Sequence, residues 1–355
     1  MNVALHTRAC DLFGVEYPIV QTGMGWVSGP TLTAATSEAG GLGVLAAATL
    51  TLEELGEAVK QIKAATSHNF GINFRPDQAD LPERLDLLLK ENVKVASFTQ
   101  APKKELVQKL QDHGVVVMPT IGAKRHAEKV AALGVDAVIA QGGEGGGHTG
   151  SIPTSLLIPE VTDAIDQPVI AAGGFRDGRG LVAAIAFGAD GIAMGTRFLL
   201  TRESQVPQSI KEAYLKTPPT GTVVTKAIDG YPQRVIRTPF VESLEGSSFL
   251  TRFARAVYYA LAFKKLTGTS LLALLKEGVT MKRNQNLTWS QFIMAANAPM
   301  LTRATMVEGR MDVGILPTGQ VVGDIDEIPS VQDLLHRVMT EAEAAVQRVT
   351  AIRGE

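Results

Sequence analysis

The stretch Asp136-Ala-Val-Ile-Ala-Gln-Gly-Gly-Glu-Gly-Gly-Gly-His-Thr-Gly150 joins an apolar run to a glycine-rich loop. The run predicts a buried strand, because it is short, continuous and free of alternation with polar residues. The glycines remove side chains where a backbone turns sharply or approaches a ligand closely. His148, inside the loop, is a side chain that can exchange a proton near neutral pH. The stretch therefore predicts a strand that ends in a ligand-binding loop with one candidate acid–base group.

The same unit recurs along the first 200 residues. Apolar runs that predict buried strands occur eight times, at 18–23, 41–47, 70–74, 95–99, 115–121, 137–141, 168–174 and 191–196. Amphipathic segments that predict helices lie between them, including 51–64, 103–113, 123–133 and 177–187. Eight strand–helix repeats favour an α/β fold of the (β/α)8 TIM barrel type over the alternative, an open doubly wound sheet.

The alternation of predicted strands and helices stops after residue 202. Residues 221–300 contain ten Lys or Arg against four Asp or Glu, a net charge of +6 in a chain whose total is −2. We interpret them as an inserted, mainly helical, basic lid or substrate domain. The barrel would then comprise 1–220 and 301–355, with a glycine-rich return loop over 306–323 and a final helix over 330–351. The alternative for the basic segment is an ordinary solvated surface.

The composition excludes several classes of protein. A near-neutral chain of 355 residues has no overall field that attracts nucleic acid or an anionic membrane. The single cysteine, Cys10, allows no internal disulfide, and we predict no metal site. The sequence shows neither a signal peptide nor an apolar run of membrane-spanning length. We therefore expect a cytoplasmic enzyme with a small-molecule substrate, and leave monomer and homodimer open.

Glycines and polar residues follow several of the predicted strands. In a TIM barrel, the chemistry lies on the loops after the carboxyl ends of the strands, and the last two loops commonly bind phosphate. The residues at these ends are Met24 and Gly25 after strand one, Asn73 in strand three, Gly173 and Gly174 after strand seven, and Gly195 and Thr196 after strand eight. The alternative for the glycines is that they only form tight turns.

Five ordered motifs resemble one known family. They are Gln-Thr-Gly-Met-Gly at 21–25, Phe-Gly-Ile-Asn-Phe at 70–74, the run 141–148, Ala-Gly-Gly at 172–174 and Met-Gly-Thr-Arg-Phe at 194–198. The chain resembles the nitronate monooxygenase (2-nitropropane dioxygenase) family, which includes flavin-dependent enoyl-acyl-carrier-protein reductases. The resemblance implies a barrel that binds FMN without a covalent bond. His148 matches the catalytic histidine and Glu144 matches an acid that often accompanies it, so the resemblance implies that both are catalytic. The implied flavin-binding residues are Met24, Gly25, Asn73, Gln141, Gly146, Gly147, Gly173, Gly174, Ala193, Met194, Gly195 and Thr196.

Within this family, the runs 141–150 and 288–300 resemble actinobacterial members that act on CoA thioesters in steroid C/D-ring breakdown. The resemblance implies hydride transfer between flavin N5 and a carbon–carbon bond of an acyl-CoA, with His148 as acid or base. The basic segment agrees with it, since CoA carries several phosphate charges. Three alternatives stay open: oxidation of alkyl nitronates with O2, reduction of an enoyl thioester, and a non-catalytic flavin-binding barrel.

Overall fold

Eight parallel strands close into a barrel in the computed structural model, which describes residues 5–246 and 297–352. Numbered along the chain, the barrel strands are β1 (Ile19–Gln21), β2 (Leu42–Ala46), β3 (Phe70–Phe74), β4 (Val95–Phe98), β5 (Val116–Ile121), β6 (Val138–Gln141), β8 (Val169–Ala172) and β9 (Gly191–Met194). Strand β9 pairs with β1, with Val20 opposite Ala193. The last strand thus meets the first, which confirms the TIM barrel and contradicts the open sheet.

Helices surround the barrel, and the predicted ones are confirmed to within a few residues. The helix over 51–64, for example, begins with a reciprocal cap, in which Thr51 Oγ1 accepts from Glu54 N and the Glu54 carboxylate accepts from Thr51 N. No helix within the described residues is long and apolar enough to cross a membrane. The helices are α1 (Arg8–Phe13), α2 (Pro30–Glu38), α3 (Leu52–Ala65), α4 (Leu81–Lys90), α5 (Lys104–Gln111), α6 (Lys124–Ala131), α7 (Thr154–Thr162), α8 (Gly178–Ala186), α9 (Thr196–Leu199), α10 (Gln208–Leu215), α11 (Pro239–Glu245), α12 (Asn297–Met306), α13 (Val331–Ala351) and a 3-10 turn, Gln320–Asp324.

Helix α1 closes the amino end of the barrel. Its buried Phe13 packs in the same apolar cluster as Val20, Val95 and Ile170, which fill the barrel interior. Asn69, which precedes β3, donates through its side chain to the backbone oxygen of Phe13. A second, larger cluster lies between the strands and the outer helices. The barrel is therefore packed on both faces of its sheet, which explains why its strands read as continuous apolar runs.

A small antiparallel sheet lies beside the barrel, and the sequence did not predict it. It joins the hairpin β10 (Thr222–Thr225) and β11 (Gln233–Ile236) to β7 (Gly147–His148) in the glycine-rich loop, with Gln233 opposite His148. Residues of the hairpin, α11 and α12 form an apolar cluster of their own, which includes Val235 and Leu301. Residues 247–296, which carry the whole positive excess of 221–300, lie outside the described residues. The mainly helical basic domain therefore stays a prediction.

Candidate active site

A layer of polar side chains lines the inside of the barrel at its carboxyl end. Alternation along the strands turns Ser97, Thr120 and Gln141 to the same side as inward apolar residues two positions earlier. Asn73 follows Ile72, which packs in the outer cluster, and therefore faces the same interior. Asn73 and Ser97 are buried, and Asn73 Nδ2 donates to Ser97 Oγ over 3.1 Å. The interior thus changes from apolar to polar at the end where TIM barrels place their chemistry. Sequence reasoning found Asn73 and Gln141 but missed Ser97 and Thr120.

Three glycine-containing loops approach one another above this layer. A Cβ atom on Gly23 would lie 2.4 Å from Asn73 Cβ, and one on Gly195 would lie 3.3 Å from Met24 Sδ. After β8, Gly173 and Gly174 have φ values of +103° and +82°, which L side chains rarely adopt. The loops after β1, β8 and β9 therefore present bare backbone at the mouth of the barrel, as the sequence predicts.

The return segment 317–320 lies between the loops after β6 and β9. Gly319 N donates to Thr196 Oγ1 over 2.8 Å, and Gln320 N donates to the backbone oxygen of Glu144 over 2.9 Å. A Cβ atom on Gly146 would lie 2.4 Å from the carbonyl carbon of Thr318. Packing against this segment is thus the reason for glycine at 146, and a flavin contact is not needed to explain it.

The Glu144 carboxylate binds the start of helix α7. Its carboxylate accepts from Thr154 N at 2.9 and 3.2 Å and from Thr154 Oγ1 at 2.7 Å. A carboxylate that accepts from a helix N-terminus is a cap, and it ties the glycine-rich loop to α7. The geometry gives Glu144 a structural role, and the catalytic role predicted for it stays a prediction.

His148 is held on one side and open on the other. Its Nε2 lies 2.7 Å from Asp229 Oδ2, while Gln141 Nε2 donates to the His148 backbone oxygen over 2.8 Å. The His148 side chain is 62% exposed and that of Asp229 only 4%. A buried carboxylate thus holds an accessible imidazole, which is the arrangement that positions a histidine for proton transfer.

Two more residues of the hairpin complete the surroundings of His148. The Tyr231 ring meets the imidazole edge to face, with 6.0 Å between ring centroids. Burial raises the pKa of Tyr231, and the charge of Asp229 adds to this, so the phenol keeps its proton. Gln233 Nε2 lies 2.5 Å from Asp229 Oδ2 and 3.1 Å from His148 Nε2. Sequence reasoning missed Asp229, Tyr231 and Gln233, since no local motif relates them to a histidine some 80 positions earlier.

Arg234 joins the hairpin to the glycine-rich loop. Its Nη2 donates to the backbone oxygen of Gly143 over 2.9 Å, and its Nη1 donates to Thr222 Oγ1 over 3.0 Å. Burial lowers the pKa of Arg234. The side chain supports the loop that carries His148, and it is therefore not one of the cations available for a CoA phosphate.

The other predicted flavin-binding residues are divided between the mouth and the core. Gly25 follows β1, and a Cβ atom there would lie 3.1 Å from Thr49 Cγ2. Ala193 faces the barrel interior, and the Met194 side chain is buried in the outer apolar cluster. Gly147 belongs to β7 and has a φ value of +64°. Met194 therefore has only its backbone at the mouth, where its oxygen accepts from Thr22 N.

Helix α12 contacts the mouth through Trp26, which follows β1. Trp26 Nε1 donates to the backbone oxygen of Pro299 over 3.0 Å, and the Arg303 guanidinium lies 5.6 Å from the Trp26 ring centroid. Trp26 has a φ value of +65°, an uncommon conformation for a bulky residue. The chain segment that follows 247–296 is thereby anchored beside the candidate site.

Comparison with known proteins agrees with this architecture. The nitronate monooxygenase family model matches residues 6–84 and 80–341. The chain belongs to the nitronate monooxygenase family. It is therefore an oxidoreductase, as the motifs at the strand ends imply.

Two relatives are similar to this nitronate monooxygenase family member along nearly their whole length. The chain is 52% identical over 350 residues to a protein of Rhodococcus jostii (strain RHA1), covering 99% of each chain. It is 50% identical over 351 residues to a protein of Mycobacterium tuberculosis (strain ATCC 25618 / H37Rv), covering 98% of this chain and 99% of the relative. Both are named (3aS,4S,5R,7aS)-5-hydroxy-7a-methyl-1-oxo-octahydro-1H-indene-4-carboxyl-CoA dehydrogenase.

A solved structure shares the fold of this nitronate monooxygenase family member. FabK from Thermotoga maritima superposes with a TM-score of 0.80 and 32% sequence identity, covering 98% of this chain and 99% of FabK. The match therefore extends beyond the barrel to nearly the whole of both chains.

Proposed function

We propose that this protein is an FMN-dependent dehydrogenase of an acyl-CoA whose acyl group is a fused bicyclic ketone derived from steroid C/D rings. The observation that carries the proposal is the 52% identity, over 99% of both chains, to a relative named as an indene-carboxyl-CoA dehydrogenase. The accessible His148 at the barrel mouth supports it, because dehydrogenation needs a group that removes a proton.

The residues at the barrel mouth fit FMN. Membership of the family supports a flavin, and the structure brings bare glycine backbone and the amides of Asn73 and Gln141 to one end of the barrel. We assign Glu144 and Gly146 to loop architecture instead. When bound, the flavin accepts or returns a hydride at N5. The residues that would hold it are Met24, Gly25, Asn73, Gln141, Gly147, Gly173, Gly174, Ala193, the Met194 backbone, Gly195 and Thr196.

In the proposed reaction, His148 moves the proton. Formation of a carbon–carbon double bond removes a hydride from one carbon and a proton from its neighbour. A bound flavin would supply the hydride acceptor, and neutral His148 takes the proton from the carbon beside the carbonyl group. In the reverse direction, protonated His148 returns it. An imidazole can both accept and donate a proton, which suits it to either direction of the reaction.

Binding of the CoA part is proposed for the basic segment. Seven Lys or Arg and one acid fall within 247–296, and a CoA thioester carries phosphate groups that such side chains pair with. Trp26 and Arg303 hold helix α12, which follows this segment in the chain, beside the mouth. We infer that these cations distinguish a CoA thioester from a free acid.

Anaerobic mixing tests the proposal. The purified protein with bound FMN is mixed with the bicyclic CoA thioester, and the flavin absorbance is followed. Bleaching by the thioester, and none by the corresponding free acid, is the expected result. If propionate-3-nitronate reduces the flavin and the thioester does not, the acyl-CoA assignment is wrong.

The family match favours a second candidate, the oxidation of alkyl nitronates with O2. It predicts O2 consumption with propionate-3-nitronate and no requirement for the basic segment. A third candidate, an enoyl-thioester reductase, is favoured by the similarity to FabK. It predicts oxidation of reduced flavin by an enoyl-CoA, which the same anaerobic apparatus measures.

A further inference from the structure

We propose that Asp229 is the positioning residue of His148, and that it holds the neutral imidazole as the tautomer with hydrogen on Nε2. Nδ1 is then the nitrogen that exchanges a proton with the substrate. The inference rests on the proposed function for the use of that proton, whereas the tautomer itself can be tested without any reaction.

The contacts of Asp229 define the arrangement. Its Oδ1 accepts from Tyr231 N over 3.1 Å, and its Oδ2 lies 2.7 Å from His148 Nε2 and 2.5 Å from Gln233 Nε2. The carboxylate is buried, so water does not compete for these oxygen atoms. Three convergent nitrogen atoms around a buried carboxylate are the partners that its charged form requires.

The backbone holds Asp229 independently of His148. Asp229 lies in the turn that connects β10 to β11, where Gly230 N donates to the backbone oxygen of Lys226 over 3.0 Å. Strand β11 then pairs with β7, which carries His148. The carboxylate and the imidazole are thus attached to the two partners of one sheet, and this fixes their separation.

The chemistry of the pair selects the tautomer. An ionised carboxylate only accepts hydrogen bonds, so a short contact with Asp229 requires the hydrogen atom on Nε2. A neutral imidazole has one such hydrogen, which leaves the lone pair on Nδ1. When Nδ1 gains a proton, the imidazolium lies beside a buried negative charge, a contact stronger than one between neutral groups. An exposed His148 without this partner would exchange between tautomers and rotamers.

An interaction that only ties the hairpin to the loop would stabilise the fold and leave the chemistry unchanged. The test therefore separates the two roles. We compare Asp229→Asn with the native protein and with Asp190→Asn, which removes a buried carboxylate that pairs with Arg8 at the amino end of the barrel. Each protein is loaded with FMN, and flavin reduction is followed against thioester concentration.

We expect Asp229→Asn to lower the limiting reduction rate roughly a hundredfold or more, because its amide also stabilises the wrong tautomer. The half-saturating thioester concentration stays within about threefold, since Asp229 holds the base and not the substrate. Asp190→Asn keeps the native rate. A native limiting rate in Asp229→Asn, with or without a lower Tm, overturns the proposal.

The tautomer can also be measured by spectroscopy on the native protein, so this test does not depend on whether Asp229→Asn folds. Long-range ¹H–¹⁵N NMR of ¹⁵N-histidine-labelled protein distinguishes the two tautomers, and the His148→Gln spectrum identifies the signal among six histidines. We expect the Nε2–H tautomer in the neutral imidazole. The Nδ1–H tautomer, or an equal mixture, overturns the proposal. If the thioester fails to reduce any flavin while the Nε2–H tautomer is present, the proposed substrate is wrong and the positioning role stands.

Discussion

The two ends of the barrel share one arrangement, a buried carboxylate beside an exposed basic side chain. At the amino end, buried Asp190 binds Arg8 of α1 through two hydrogen bonds of 2.9 Å. At the carboxyl end, buried Asp229 lies 2.7 Å from His148. In both pairs the basic side chain is about 62% exposed. Arginine keeps its proton throughout the physiological pH range and can only bind, whereas histidine can release and regain it. The difference supports the proposal that a buried carboxylate positions either base, and that the type of base decides whether the pair serves structure or chemistry.

The largest expected effect is at the carboxyl end. His148→Ala should lower the limiting rate of flavin reduction by roughly 10²–10⁴-fold, the usual contribution of a general acid or base. FMN content should be unchanged, because the proposed flavin contacts lie elsewhere. Stopped-flow absorbance measures the rate, and His126→Ala, at an exposed position on α6, is the matched control. If His148→Ala retains FMN and reacts at the native rate, the proposed contrast between a structural amino end and a chemical carboxyl end is wrong.

The Phe13→Ala variant tests the structural role of the amino end of the barrel. Phe13 is 1% exposed and seals the bottom of the barrel, so its truncation leaves a cavity and should cost about 3–5 kcal/mol of the free energy of unfolding. Flavin reduction at low temperature should stay native, since the change lies at the opposite end from His148. Denaturant unfolding measures the loss, and Leu12→Ala on the same helix, at a half-buried position, should cost less. A slower reaction with unchanged stability would contradict the assignment.

Glu144→Gln tests whether the second acid of the glycine-rich loop acts in structure or chemistry. Loss of the charge weakens the cap on α7, and we expect a stability loss of about 1 kcal/mol. The reduction rate should fall no more than about threefold, far less than for His148→Ala. Glu160→Gln, at an exposed position on α7, is the control. A hundredfold slower reaction with native Tm would restore the predicted catalytic role of Glu144.

The smallest effect is expected for Arg8→Ala. Arg8 is largely exposed and solvent screens its charge, whereas buried Asp190 keeps Val169 N as a donor, so the free energy of unfolding should fall by about 1 kcal/mol. The loss should shrink at high salt. Thermal unfolding at two salt concentrations measures it, with flavin reduction as the readout that must not change. Equal losses of rate at both ends would show that the pairs do not differ in purpose.

Much of the barrel was predictable from the sequence, for a physical reason. Parallel strands buried on both faces leave continuous apolar runs, and all eight strand ends fall within two residues of the prediction. The glycine-rich loop and the turn at Gly173 and Gly174 were predictable as well, because backbone conformations with positive φ favour glycine. His148 stood out because the loop places it after a strand end.

The partners of these residues were not predictable. Asp229 comes from a hairpin that pairs with two residues of the loop, and such short pairing has no periodic signal. Glu144 and Thr154 are ten positions apart, and only the fold shows that the carboxylate meets the start of α7. In the sequence, Ser97 and Thr120 only interrupt apolar strands. The closed barrel is what turns their side chains to its interior.

By itself, the sequence determined the eight-stranded barrel, the glycine turns at its mouth and the identity of the candidate base, because each leaves a local pattern of residue types. The tertiary structure alone decided which acid that base meets: the nearby Glu144 caps α7, and the distant Asp229 binds His148. The reason is that a hydrogen bond depends on separation in space, which the chain sets only when β7 and β11 pair above the closed barrel.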